Sequence, residues 1–137
     1  MYVLKEAYVP VILISGGFMT TNEILQLDCR EEKNQKIIQK VLRKIKPLSK
    51  YSDEEDIPFS AIEKAIVVMC KKYCVRIRDF VPDVWSNESH TIWKAWIIND
   101  TNHETIDTVY GITLYEVFAK CAIRLYTEVK KGIEIRS

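Results

Sequence analysis

The residues able to do chemistry in this 137-residue chain are few, and their spacing limits them. The cysteines are Cys29, Cys70, Cys74 and Cys121, and the histidines are His90 and His103. Cys70 and Cys74 stand four apart, which is not the two-residue gap of a zinc knuckle, so a zinc site would need a histidine to join them. A cysteine nucleophile needs a base beside it, and neither histidine has a partner at short range. Cys121 lies in an apolar helical stripe, where a thiol acts as a small hydrophobe. Gly16 and Gly17 follow a strand-like run, but no phosphate-loop pattern continues from them. The acidic run Asp53, Glu54, Glu55 and Asp56 lacks the extra ligands and the glycine of a calcium loop. The expected cofactor set is therefore empty: no metal and no catalytic residue.

Binding chemistry is better represented. "VWSNESHTIWKAWIIND", Val84 to Asp100, holds all three tryptophans. Arg76 and Arg78 share one face of the preceding strand-like segment, and Lys94 points with Trp96. If that face is left partly uncovered, arginine and tryptophan line a groove suited to a nucleotide or to protein contact. Trp85, after Pro82 in a polar loop, is the candidate exposed anchor. Tyr51 and the acidic residues Asp53, Glu54, Glu55 and Asp56 form a second candidate surface, able to mimic phosphates. A third is the cationic side of a helix, with Lys33, Lys36, Lys40, Arg43 and Lys44.

The elements that must position these residues follow from periodicity. "VPVILIS" is rich in β-branched residues, and Pro10 places it at a strand start or an edge. "TNEILQL" fits either a short strand or a helical turn. Asp28 is the expected N-cap of a helix over residues 31–46, with Ile37, Ile38, Val41, Leu42 and Ile45 as its apolar stripe. Ser60 and Glu63 fit a capping box opening a second helix, buried through Ile62, Ala65, Ile66, Met69 and Tyr73 and widened by Val67, Val68 and Cys70. "CVRIRDF" alternates as a strand. "TIWKAWII" is apolar on both faces, with Trp93, Ala95 and Ile97 on one and Ile92, Trp96 and Ile98 on the other, which predicts cover on both. "TIDTVYG" is the return strand. Thr113 and Glu116 open a last helix with Leu114, Val117, Phe118, Cys121, Ala122 and Leu125 as its stripe, closed by Gly132.

This order predicts the α+β class: an antiparallel meander covered by helices on both faces, an α/β/α sandwich, with an extended N-terminal β segment over 1–28 and a core over 29–137. One domain suits the length. With 20 Lys and Arg against 19 Asp and Glu, the formal charge of +1 gives no overall pull towards nucleic acid, so protein contact ranks above direct nucleic-acid binding. No apolar run is long enough for a membrane span. No signal-peptide pattern opens the chain, so the sequons at Asn87 and Asn99 carry no weight. The exposed N-terminal strands make a homodimer plausible.

"KYSDEEDIPFSAIEKAI", "WKAWII" and "GITLYEVFAKCAI" together resemble the small phage α/β/α-sandwich proteins of low-GC Gram-positive bacteria and their prophages. The likeness covers about Lys46 to Tyr126; the first 45 residues do not match. It implies a small accessory protein of the host cytoplasm with no catalytic residues. The expectation is a non-enzymatic protein that binds a host protein or nucleoprotein complex and modulates or inhibits it, as an anti-defence inhibitor would. The alternatives are a module sequestering a nucleotide signal through Arg76 and Arg78, and a nucleic-acid binder using the basic face of helix 31–46.

Overall fold

The computed structural model describes residues 11–14, 17–83 and 92–129. Trp85, His90 and Gly132 fall outside the described residues.

Strand β1 (Val11–Ile14) pairs antiparallel with β2 (Gly17–Thr20). Helix α1 (Thr21–Leu25) follows at once, so the ambiguous "TNEILQL" begins as a helix and the β segment expected over 1–28 gives way to it after Thr20. Its start is a reciprocal capping box: the Glu23 N–H donates to the Thr20 hydroxyl at 3.1 Å, and the Thr20 N–H to the Glu23 carboxylate at 3.0 Å. Two orphan donors are satisfied this way, which allows a helix of only five residues to begin.

Helix α2 (Glu32–Leu42) starts later than Asp28 as N-cap would place it. The Asp28 carboxylate instead accepts the Arg30 N–H at 3.0 Å and the Arg30 guanidinium at 2.7–3.1 Å, so it folds the approach to the helix. This pairing holds its carboxyl down at about 2. The apolar stripe lies as the periodicity predicts, with Ile38, Val41 and Leu42 buried and Lys33, Lys36, Lys40 and Lys44 exposed. A short 3₁₀ turn, Lys46–Leu48, carries Pro47 and redirects the chain.

Helix α3 (Phe59–Tyr73) has Pro58, not Ser60, at its N-cap, with no side-chain cap. Pro58 is the extended residue before the helix, at φ −61° and ψ 145°, so Ser60 falls inside the first turn. The stripe Ile62, Ala65, Ile66 and Met69 is buried, whereas Val67 and Val68 face water at 52% and 58% exposure. The helix is thus amphipathic rather than wholly buried. It ends at Cys74, whose left-handed φ of 55° reverses the chain into the sheet.

Strands β3 (Val75–Asp83), β4 (Ile92–Asn99) and β5 (Thr105–Gly111) form the antiparallel meander, in the order β3-β4-β5. β3 runs beyond the expected "CVRIRDF", with Pro82 opposite Trp93. Helix α4 (Leu114–Arg124) returns over the sheet and widens into a π-helical turn at Leu125–Val129. Its cap is half of the expected box. The Glu116 N–H donates to the Thr113 hydroxyl at 3.1 Å, but the Glu116 carboxylate accepts from Ile112 N–H instead of closing on Thr113.

The protein is therefore an α+β sandwich on a three-stranded antiparallel sheet. Helix α4 lies on β4 and β5, α3 on β3, and α2 on α4. Ala95, Ile97, Val75 and Val109 join one core with α2, α3 and α4. Each buried valine or isoleucine side chain among them contributes about 1.5–3 kcal/mol. The opposite sheet face meets the expected cover only in part. Ile98 is 3% exposed, but Arg76, Arg78 and Tyr110 remain exposed. No helix among the described residues is long and apolar enough to cross a membrane.

Candidate functional site

The outer sheet face gathers residues from three strands because alternate side chains share a side. On β3, Val75 and Ile77 turn inward, so Arg76 and Arg78 turn outward. Register then sets their neighbours. Arg78 stands opposite Trp96, and Trp96 opposite Thr108. Lys94 stands between Val81 and Tyr110, and Arg76 opposite Ile98. The Lys94 ammonium sits 4.7 Å from the centre of the Trp96 ring, a cation–π contact between residues two apart on one strand. The Arg76 guanidinium lies 3.3 Å from the Asp100 carboxylate, with both side chains half in water, a pair worth about 0–1 kcal/mol. Tyr110 is 49% exposed. Arg76, Arg78 and Lys94, three of the residues singled out from the sequence, thus share this face with Trp96 and Tyr110. Trp85 lies outside the described residues.

Trp93 and Trp96 are both half-buried, but only Trp93 packs against the core. Tyr110 is the residue of this face that sequence reasoning missed. Its signal was present: Ile106, Thr108 and Tyr110 alternate with Asp107 and Val109 along β5.

The acidic loop belongs to a different site. Asp53, Glu54 and Asp56 line an open cleft of about 950 Å³, and its other wall carries Lys36 and Lys40 of α2 and Arg43 at the end of that helix. Two features that the sequence offered as separate surfaces therefore face a common space and offset one another's charge. Glu55 is turned to local use: its carboxylate accepts the Ser52 N–H at 3.3 Å, and its carbonyl accepts the Arg43 guanidinium. Behind the cleft, the buried Gln39 amide donates to the Tyr115 hydroxyl at 2.8 Å and accepts the Ile57 N–H at 3.0 Å. The Tyr115 hydroxyl donates to the Ile57 carbonyl. This network pins the end of the loop to α2 and α4. Tyr51 is half-buried and packs against the core, and Phe59 meets Phe118 edge-on at 4.5 Å.

Deeper still, α4 holds a buried ion pair. Lys120 and Glu116 are 3% and 6% exposed. The Lys120 ammonium donates to Glu116 Oε2 at 3.2 Å and to the Leu27 carbonyl at 2.9 Å. Glu116 Oε2 also accepts the Ile112 N–H at 3.2 Å, while Oε1 is buried without a hydrogen bond. Glu-x-x-x-Lys spacing on the flank of the Val117–Cys121 stripe was the available signal for this pair.

Burial, and then the Glu116 charge, push the Cys29 thiol up to about 12. Burial also raises Cys70 to about 11 and holds Cys121 far above its ordinary range. These thiols stay protonated at neutral pH and are poor nucleophiles. Among the described residues no three His, Cys, Asp or Glu side chains cluster so as to hold a metal ion.

Searches among family models, curated proteins and solved structures find no match to this chain. The resemblance to phage sandwich proteins rests on the sequence motifs alone.

Proposed function

We propose that the chain is a non-enzymatic binding protein that engages and modulates a macromolecule through the outer face of its sheet. One observation carries the reading: Arg76, Arg78 and Lys94 share a single strand-built surface with Trp96 and Tyr110. Arginine, tryptophan and tyrosine are the residues that dominate recognition surfaces, because each offers large contact area together with directed polar groups. Strands of a packed sheet also hold such groups more rigidly than loops do. The motif resemblance supports a host protein or nucleoprotein complex as the target.

The acidic loop is the weaker candidate. A phosphate-mimicking surface works by unopposed negative charge, and Lys36, Lys40 and Arg43 stand across the cleft from it. The same opposition weakens the basic face of α2 as a nucleic-acid surface.

Site-specific photo-crosslinking in cells tests the reading. A crosslinker in place of Arg78 or Tyr110 should give discrete covalent adducts. One in place of Glu63, exposed on α3, should give none. Equal labelling from both positions, or none from the sheet, contradicts it.

A further inference from the structure

We infer that the outer sheet face takes a single-stranded nucleic acid, with phosphates on Arg76, Arg78 and Lys94 and bases on the Trp96 and Tyr110 rings. This rests on the sheet-face reading above and names its occupant.

The five side chains are of two chemical kinds. Guanidinium and ammonium groups satisfy phosphates, and indole and phenol faces satisfy bases of any sequence. Their layout alternates the two kinds. Arg78 and Trp96 share one cross-strand row, and Lys94 and Tyr110 share the next. Adjacent strands are about 4.8 Å apart, and residues two apart on a strand about 6.7 Å. A chain laid obliquely over β4 and β5 therefore meets a ring, a cation and a second ring within a few nucleotides. The Lys94–Trp96 contact at 4.7 Å joins two half-buried side chains and can give way, the ammonium moving to a phosphate while a base takes the ring.

Two competing occupants fit less well. In a duplex the base faces are already stacked on one another, so Trp96 and Tyr110 would gain nothing. An acidic peptide would use the cations but leaves the flat Trp96 and Tyr110 rings without stacking partners, and Ile98, at 3% exposure, offers it little aliphatic contact. Net charge argues only against strong binding. The +1 of the whole chain averages this face with the compensated cleft, and Asp100 competes for Arg76. The expected affinity is modest and strongly dependent on salt. Three phosphate contacts give a slope of log K against log salt of about −2 for a single strand.

Fluorescence anisotropy of the full chain with labelled oligo(dT) and oligo(rU) of about 12 nucleotides tests this. Saturable binding with that slope is expected. Arg78→Glu and Tyr110→Ala, each checked for native circular dichroism, should each weaken it by about fivefold or more. Lys36→Glu with Lys40→Glu should leave it unchanged. Loss of binding in the α2 variant but not in Arg78→Glu overturns the proposal and moves the nucleic acid to the helix. Duplex binding as tight as single-strand binding overturns the stacking mode. No oligonucleotide binding, with protein adducts from the Arg78 crosslinker, overturns the nucleic acid and keeps the sheet-face reading. Neither binding nor adducts removes both.

Discussion

Trp93 and Trp96 stand three residues apart on β4 and point to opposite sides of the sheet. Trp93 leans on a core where Ala95 and Ile97 are wholly buried beneath α4. Trp96 lies between Arg78 and Thr108 with an ammonium over its ring. The same strand thus supplies a packed face that holds the fold and an outer face where Arg78 and Tyr110 reach water. Residue type did not separate the two indoles; the neighbours that register brings to each one did. If the outer face binds as proposed, stability and recognition are carried by different residues, and mutations should sort accordingly.

The largest stability losses belong to the packed side. Lys120→Met leaves the Glu116 carboxylate buried without its cation and should cost about 3–5 kcal/mol in urea unfolding. Adding Glu116→Gln should recover part of that loss, since the penalty is the stranded charge. Ile97→Ala, at a position with no exposure, should cost about 2–5 kcal/mol. Gly111→Ala places a Cβ 2.9 Å from both Glu116 Oε2 and Val117 Cγ2, against the close approach of β5 to α4. Overpacking there should cost about 1–3 kcal/mol.

Alkaline pH probes the same side. Burial raises the Cys29 thiol from 9.0 to about 12, so the unfolded chain releases this proton first. Its contribution is whole below pH 9 and is lost as pH climbs towards 12. Cys29→Ala should flatten the fall in stability above pH 9 by about 1.4 kcal/mol per pH unit. An unchanged slope contradicts a thiol held protonated by burial.

The smallest stability effects belong to the outer face. Tyr110→Ala and Arg78→Ala should each shift unfolding by less than about 0.5 kcal/mol while weakening partner binding. If either costs as much as Ile97→Ala, the division between the faces is wrong.

The packed side was the more legible of the two. Helical and strand periodicity located the stripes of α2, α3 and α4, because a buried stripe needs apolar residues at fixed intervals. The α+β class and the meander followed from them. Caps were read less well, since Ser60 and Glu63 have the right spacing while Pro58 determines where the helix begins. Val67 and Val68 show the limit of composition: both are apolar, and only the packing of α3 decides that they face water. The residues of the proposed binding face were half visible. Alternation put Arg76 with Arg78 and Lys94 with Trp96, but Tyr110 joins them through the register of β4 with β5. The pairing of the acidic loop with the cations of α2 and its end needed tertiary structure, because Arg43 and Asp53 stand 10 positions apart and a turn brings them together.

The central claim is most directly tested by nuclear magnetic resonance titration of the labelled chain with a single-stranded oligonucleotide. The account predicts amide shifts confined to the neighbourhood of Arg76, Arg78, Lys94, Trp96 and Tyr110, with residues 36–43 and 53–56 silent. Shifts that map instead to the cleft between α2 and the acidic loop, with the sheet unmoved, would contradict it.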